Sequence, residues 1–535
     1  MQRLIATSLA AVLVAGQLAA PMATQAEWGG GSTATPIKHL VVIFQENVSF
    51  DHYFGTYPRA LNPPREPRFI AAPGTPTVNG YTDALLYNNP NFLNTTGNGA
   101  GAANPFRLDR SESATADQDH NYGPEQQAFH AGLMDSFPEF TGTSGAPPNS
   151  TNGLVMGYYD GNTVTALWNY AQRYAMNDNS YGTTFGPSTP GAINLISGQT
   201  NGVTEQSNAG SDVVDGGNGT VTLISDADPV GDVCSSSSVV QLGGTNVGDL
   251  LNSRGITWGF FEGGFDLTKK NADGSTGCKR SHTSTVTRAL KADYIAHHQP
   301  FQYYASTANP KHLRPSSVRS IGVDGDQANH QYDIDDFYAA VRAGNMPSVS
   351  YLKAAGYQDG HAGYSDPLDE QSFVVKVVNF LQSRPEWKDT AVVVNWDDSD
   401  GWYDHQLGQV VNQSTTSADM LTGAGQCGDG RTALAGPQVI HAQGRCGYGP
   451  RLPLLVISPY ARHNFVDHTL TDQSSILRFV EDNWLGGQRI GQGSFDALAG
   501  SLNGMFDFRR HDWDNDFLQL DEATGNTTQQ QLSIQ

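Results

Sequence analysis

Two stretches set far apart in this chain follow one plan. His39 to Gly55 reads HLVVIFQENVSFDHYFG, in which the apolar run Leu40-Val41-Val42-Ile43-Phe44 stops abruptly at Gln45-Glu46-Asn47. Thr390 to Asn395 reads TAVVVN and runs into Trp396-Asp397-Asp398-Ser399-Asp400. An unbroken run of β-branched and apolar residues bounded by polar ones reads as a strand buried on both faces. Both faces of such a strand must be covered. Buried strands of this kind alternate with helical segments along the chain, a pattern that implies a mostly parallel sheet with helices on both faces.

The polar pairs behind the two strands carry the chemistry. Ligands of open α/β sheets bind beyond the carboxyl ends of the strands. Glu46 and Asn47, and Asp397 and Asp398, place carboxylate and amide oxygens there. These are hard donors suited to one divalent ion of the Mg²⁺, Ca²⁺ or Mn²⁺ kind. Adjacent carboxylates repel unless a cation lies between them. Asp400, Asp404 and His405 stand close by in the sequence as supporting groups or as plain loop residues.

Ser188 is the candidate nucleophile. It lies in Phe185-Gly186-Pro187-Ser188-Thr189-Pro190-Gly191, at or just before the N-cap of a helix that begins near Pro190. A hydroxyl at a helix N-terminus meets free N–H groups that favour a phosphate. A structural capping serine occupies the same kind of position. No GxSxG elbow surrounds it, which disfavours an ordinary α/β-hydrolase triad. His120, His297, His298 and His361 stand in polar, motif-like settings. Together they suit phosphate chemistry, in which imidazolium neutralises charge and protonates a leaving oxygen. A di-zinc site with histidine ligands is also compatible with their spacing.

Composition narrows the setting. The formal net charge of −22 argues against a nucleic-acid partner and against attraction to anionic membranes. Residues 1–26 read as a secretory signal peptide, with Arg3 in the n-region and an Ala/Val/Leu-rich core. No later run reaches the roughly 18 apolar residues of a membrane helix. The expected location is secreted or periplasmic. The four cysteines contain no CxxC pair, so two disulfides are expected, with the pairing Cys234–Cys278 and Cys427–Cys446 preferred among three.

Residues 27–535 read as a single domain. Loop-like insertions near 201–244 and 414–449 are expected to build a smaller cap over one sheet edge. Pro58 to Gly101 reads as a long irregular excursion, and Leu167 to Met176 as a helix. Ile256 to Glu262, Ser348 to Leu352 and Leu452 to Ser458 read as strands, and Gln473 to Trp484 as an amphipathic helix.

ENVSFDHYFG (46–55), FGPSTPG (185–191), YIAHHQPFQYY (294–304), YQDGHAGYSDP (357–367) and NWDDSDGWYDH (395–405) resemble the motifs of the bacterial phosphoesterase family. They run in family order from about residue 36 to 485. That family includes secreted phospholipases C and a branch of acid phosphatases. The resemblance implies an alkaline phosphatase-like three-layer α/β/α sandwich. It implies one metal ion held by Glu46, Asn47, Ser188, Asp397 and Asp398, with Ser188 also the nucleophile, and His120, His297, His298 and His361 around the phosphate. Ser188 stands where the phospholipase C branch usually has Thr, and DDSDGWYDH stands for its DExGGxYDH. Both departures favour a metal-dependent acid phosphatase that hydrolyses phosphate monoesters through a phosphoserine, with His361 as the candidate donor to the leaving alkoxide. A phospholipase C acting on phosphatidylcholine-type lipids is the nearer alternative, and a secreted binding protein the further one.

Overall fold

The computed structural model describes residues 33–217, 219–429, 444–509 and 517–528. The expected signal peptide lies outside the described residues, as does the middle of the 414–449 insertion. The core is an eight-stranded sheet built, in chain order, from β1 (His39–Gln45), β2 (Ala175–Asn177), β3 (Trp258–Glu262), β4 (Gln331–Asp333), β5 (Val349–Lys353), β6 (Thr390–Trp396), β7 (Leu454–Ile457) and β8 (Phe465–Asp467). Their order across the sheet is β4-β3-β5-β1-β6-β7-β2-β8. All run parallel except β7, which is antiparallel to both of its neighbours.

Eight helices matter for the site. They are α1 (Phe50–Phe54), α2 (Tyr122–Phe129), α3 (Thr165–Arg173), α4 (Ser188–Ser197), α5 (Val247–Ser253), α6 (Ile334–Arg342), α7 (Pro367–Gln382) and α8 (Ser474–Trp484). Helices α4, α5 and α8 pack on one another as one layer. Helix α7 packs on α3 and meets α6 through the Tyr338 and Phe380 rings, forming the other layer. The three-layer α/β/α arrangement inferred from the apolar runs is therefore present. Leu40 to Phe44 and Ala391 to Val394 are all at most 1% exposed. Each such side chain contributes about 1.5–3 kcal/mol of burial, so the strand ends form a rigid platform.

Three local expectations are corrected. The helical reading of Leu167 to Met176 fails after Arg173, where the chain turns and Ala175–Asn177 enters the sheet between β7 and β8. Tertiary pairing overrides the local pattern there, because fully buried Ala175 and Met176 suit either element. The Pro58 to Gly101 excursion contains short helices at Asp83–Tyr87, Pro90–Leu93 and Thr95–Asn98, each opened by a Thr or Asn cap. The 201–244 insertion holds a small sheet of Val203–Ser207, Val239–Leu242 and Asp228–Pro229. The same insertion carries Asp228 against His297. Both preferred disulfides, Cys234–Cys278 and Cys427–Cys446, are formed.

Candidate active site

Register explains why the two polar pairs meet. β1 and β6 are neighbours in parallel, with Gln45 opposite Trp396, so both strands end at the same level. Glu46-Asn47 and Asp397-Asp398 leave the sheet side by side. On the other flank β5 pairs with β1 through Ile43 and Leu352, which brings Lys353 to the same edge. Asn47 adopts φ 55°, a left-handed conformation that asparagine tolerates, and its amide turns back over the strand ends.

Ser188 reaches this edge from the start of α4. It is the first helical residue, with Pro187 at the N-cap, one place further in than the cap position. Its Oγ donates to Glu46 Oε2 at 3.0 Å and lies 3.1 Å from Asp398 Oδ2. The two loops that carry these groups are tied together. Buried Glu125 accepts from Gly186 N–H at 3.0 Å and from Ser399 Oγ at 2.6 Å. Gln473 accepts from Thr183 N–H at 3.1 Å and donates to the Asp397 carbonyl at 2.5 Å. Asp226 takes both the Thr189 N–H and its hydroxyl, at 2.9 and 2.7 Å.

The donor set fits a cation. The Asn47 side-chain oxygen faces other oxygens, Glu46 Oε2 at 2.6 Å and Asp397 Oδ1 at 3.0 Å. Turned over, the amide donates to both carboxylates and accepts from His361 Nε2 at 3.2 Å; with its oxygen inward it would offer a cation one more hard donor. Electrostatics points the same way. Burial and the neighbouring Glu46 charge push Asp397 well above the usual carboxylate range, and burial with Glu46 nearby lifts Asp398 to about 7. Burial opposes the charge of Glu46, but the His298 ring and the Lys353 ammonium hold its carboxyl well below the usual range. Lys353 Nζ is bonded to Glu46 Oε1 and lies 3.1 Å from Asp397 Oδ2.

The four predicted histidines converge on this edge in different ways. His120 and His361 each commit Nδ1 to a backbone carbonyl, Gln118 at 2.8 Å and Ala362 at 2.6 Å. This turns both Nε2 atoms toward Asn47. His298 Nε2 lies 3.3 Å from Glu46 Oε1. His297 Nδ1 lies 3.2 Å from Asp228 Oδ1. Burial opposes protonation of His297, but the bond to Asp228 and the charges of Asp226, Asp228 and Glu46 together outweigh it and raise its pKa. Over the site opens a pocket of about 490 Å³ lined by His120, His297 and His361 together with Asp117, Asp226 and Lys291.

All nine predicted site residues lie at or beside one strand edge. Sequence reasoning missed Lys353, Glu125, Asp226 and Asp228. Asp404 and His405, named above as supporting groups or loop residues, belong to a separate buried cluster with Asp51 and Arg451.

The sequence model of the phosphoesterase family matches residues 37–485. Among curated proteins, a non-hemolytic phospholipase C of Pseudomonas aeruginosa is 22% identical over 491 residues, covering 88% of this chain and 57% of that protein. The chain thus corresponds to little more than half of that relative. Phospholipase C A of Mycobacterium tuberculosis is 23% identical over 452 residues, covering 83% of this chain and 72% of the other. Among solved structures, a protein in the alkaline phosphatase superfamily from Vibrio parahaemolyticus covers 63% of this chain and 62% of its own, at 13% identity and a TM-score of 0.26, a likeness too slight to carry an argument.

Proposed function

The chain belongs to the phosphoesterase family, and from that premise we propose that it is a metal-dependent acid phosphatase that hydrolyses phosphate monoesters through a phosphoserine on Ser188. The observation that carries this reading is the setting of Ser188: its hydroxyl lies between two carboxylates at the start of a buried helix, beneath a polar pocket. A divalent ion held by Glu46, Asn47, Asp397, Asp398 and Ser188, of the Mg²⁺, Ca²⁺ or Mn²⁺ kind by donor type, would neutralise phosphate charge and acidify the hydroxyl.

The residues divide the remaining tasks. Ser188 gives up its proton toward Glu46 or Asp398 and attacks phosphorus in line, forming the Oγ–P bond as the bond to the leaving oxygen breaks. At the start of α4 the Ser188 N–H favours the phosphoryl oxygens, whereas the Thr189 N–H is already taken by Asp226. His120 and His361, their tautomers fixed through Nδ1, turn Nε2 toward the same group. His297 is better placed than His361 to protonate the leaving oxygen, because its partner Asp228 keeps it charged while it lines the pocket. Water then cleaves the phosphoserine by the reverse geometry.

The pocket wall supports a water-soluble ester. Of the residues lining it, Pro187 and Tyr364 alone offer much apolar surface. The second reading, a phospholipase C that cuts the phosphodiester of phosphatidylcholine-type lipids, is favoured by the names of the relatives and uses the same nucleophile. The two disulfides support a location outside the cytoplasm.

The test compares release from p-nitrophenyl phosphate and from p-nitrophenyl phosphorylcholine across about pH 5 to 7.5, where histidine titrates, before and after chelation. Fast, chelator-sensitive release from the monoester is expected. Preference for the choline diester would transfer the protein to the phospholipase C reading. Silence on both would overturn the substrate class.

A further inference from the structure

The two central carboxylates each divide their oxygens between two sides. Glu46 Oε2 and Asp397 Oδ1 face Ser188 and Asn47. Glu46 Oε1 and Asp397 Oδ2 face Lys353. The second side is itself a ligand set. A carboxylate oxygen of Glu46, an imidazole nitrogen of His298 and a carboxylate oxygen of Asp359 all lie within 4.8 Å of one another, and His298 Nε2 is 3.3 Å from Glu46 Oε1. All three residues are buried, as is Lys353 at 1%. Two carboxylates shared between adjacent sites is the plan of two-metal centres, whose ions stand about 3.5–4 Å apart.

We propose that Lys353 is a built-in substitute for a second divalent cation: its ammonium occupies the metal position outlined by Glu46, His298, Asp359 and Asp397 and confines the centre to one ion. This rests on the one-metal reading given above. A lysine ammonium is a compact point charge on a flexible stem, with three donors that match several carboxylate oxygens at once. Its single charge neutralises part of the surrounding carboxylate charge while repelling the neighbouring ion less than a second dication would. Truncating the lysine leaves an oxygen-and-imidazole set of the type that takes Mn²⁺ or Zn²⁺.

The test counts ions. Full-length protein is stripped with a chelator and titrated with Mn²⁺ and, separately, Zn²⁺. Stoichiometry is read by calorimetry and by elemental analysis after desalting. The expected result is one ion per chain for the wild type, two for Lys353→Met, and one again for Lys353→Met combined with Asp359→Asn. Circular dichroism checks each fold, and Lys353→Gln replaces the Met variant if that one fails to fold. A folded Lys353 variant that binds one ion or none overturns the proposal. So does a wild type that saturates at two, a result independent of any variant. A wild type that binds no ion removes the one-metal reading itself, and this proposal with it.

Discussion

Gly191 in α4 presses against the carbonyl oxygen of Asp397 so closely that a Cβ there would stand 2.1 Å from it. The helix that carries the nucleophile and the loop that carries the acidic pair thus touch backbone to backbone. Replacing an exposed helical glycine with alanine gains up to about 1 kcal/mol. Here the added methyl must push α4 away from the Asp397 turn. Gly191→Ala is therefore expected to destabilise the fold by about 1–3 kcal/mol, the usual cost of overpacking, and to lower kcat by misplacing Ser188. Chemical denaturation and steady-state kinetics check both. Wild-type stability with wild-type turnover would show that the contact is not needed.

Ser188→Ala removes the attacking oxygen while leaving Glu46, Asn47, Asp397 and Asp398 in place. The expected loss in kcat is on the order of 10³-fold or more, as for nucleophiles that act as part of a unit. Mass spectrometry of the acid-quenched wild type should find one added phosphoryl group on the peptide containing Ser188, and none in the variant. Turnover near the wild-type level in a folded Ser188→Ala protein would sink the covalent mechanism.

The central site was legible because its carriers are strand ends. An unbroken, β-branched apolar run as short as Leu40 to Phe44, bounded by polar residues, favours a buried strand, so the residues just beyond it emerge at one edge of the sheet. The same rule applied to the strand Val349–Lys353 would have found Lys353. A lysine that closes a strand instead reads as solvated, and only the pairing of β5 with β1 shows what it faces. Glu125 sits in the short helix α2, and Asp226 and Asp228 in a loop-rich segment whose sequence carries no period. Their contacts join residues 37 to 274 positions apart, and no local pattern encodes such pairings. The strand Ala175–Asn177 was hidden for a related reason, since three buried residues are too few to distinguish a strand from a helix end.

The pair His297 and Asp228 predicts a pH effect. His297 has its pKa raised: burial opposes the charge, and the Asp228 bond prevails together with the charges of Asp226, Asp228 and Glu46. Its charged form therefore persists above the ordinary histidine value of 6.5. Stability drawn from this raised pKa is fully present below the unfolded value and is lost as pH rises through the folded one. If His297 protonates the leaving oxygen, kcat/KM falls on the alkaline side as that proton is lost. Asp228→Asn is expected to move this descending limb to lower pH, whereas the ascending limb stays in place. A pH profile with p-nitrophenyl phosphate would also reveal the opposite case, an unmoved limb, which would confine Asp228 to a structural task.

Chelation should weaken the fold as well as the activity. Glu46, Asp397 and Asp398 are each at most 3% exposed; Glu46 and Asp398 flank the Ser188 hydroxyl, and buried Lys353 pairs with Glu46 and Asp397. Burial and mutual repulsion push Asp397 and Asp398 up, so without an ion the cluster must take up a proton or strain apart. A ligand that binds the folded state alone adds about 2.7 kcal/mol at a hundredfold excess over its Kd. Thermal unfolding is therefore expected at a lower temperature in chelator than in millimolar Mg²⁺, Ca²⁺ or Mn²⁺, and the ion that restores the most stability should also restore the most turnover. Raised folded-state carboxyl values lose their penalty as pH falls and the groups become protonated. The gap between metal-loaded and metal-free protein should accordingly shrink toward acid pH. An equal melting temperature with and without chelator at neutral pH would mean that the oxygens of Glu46, Asn47, Asp397 and Asp398 hold no ion.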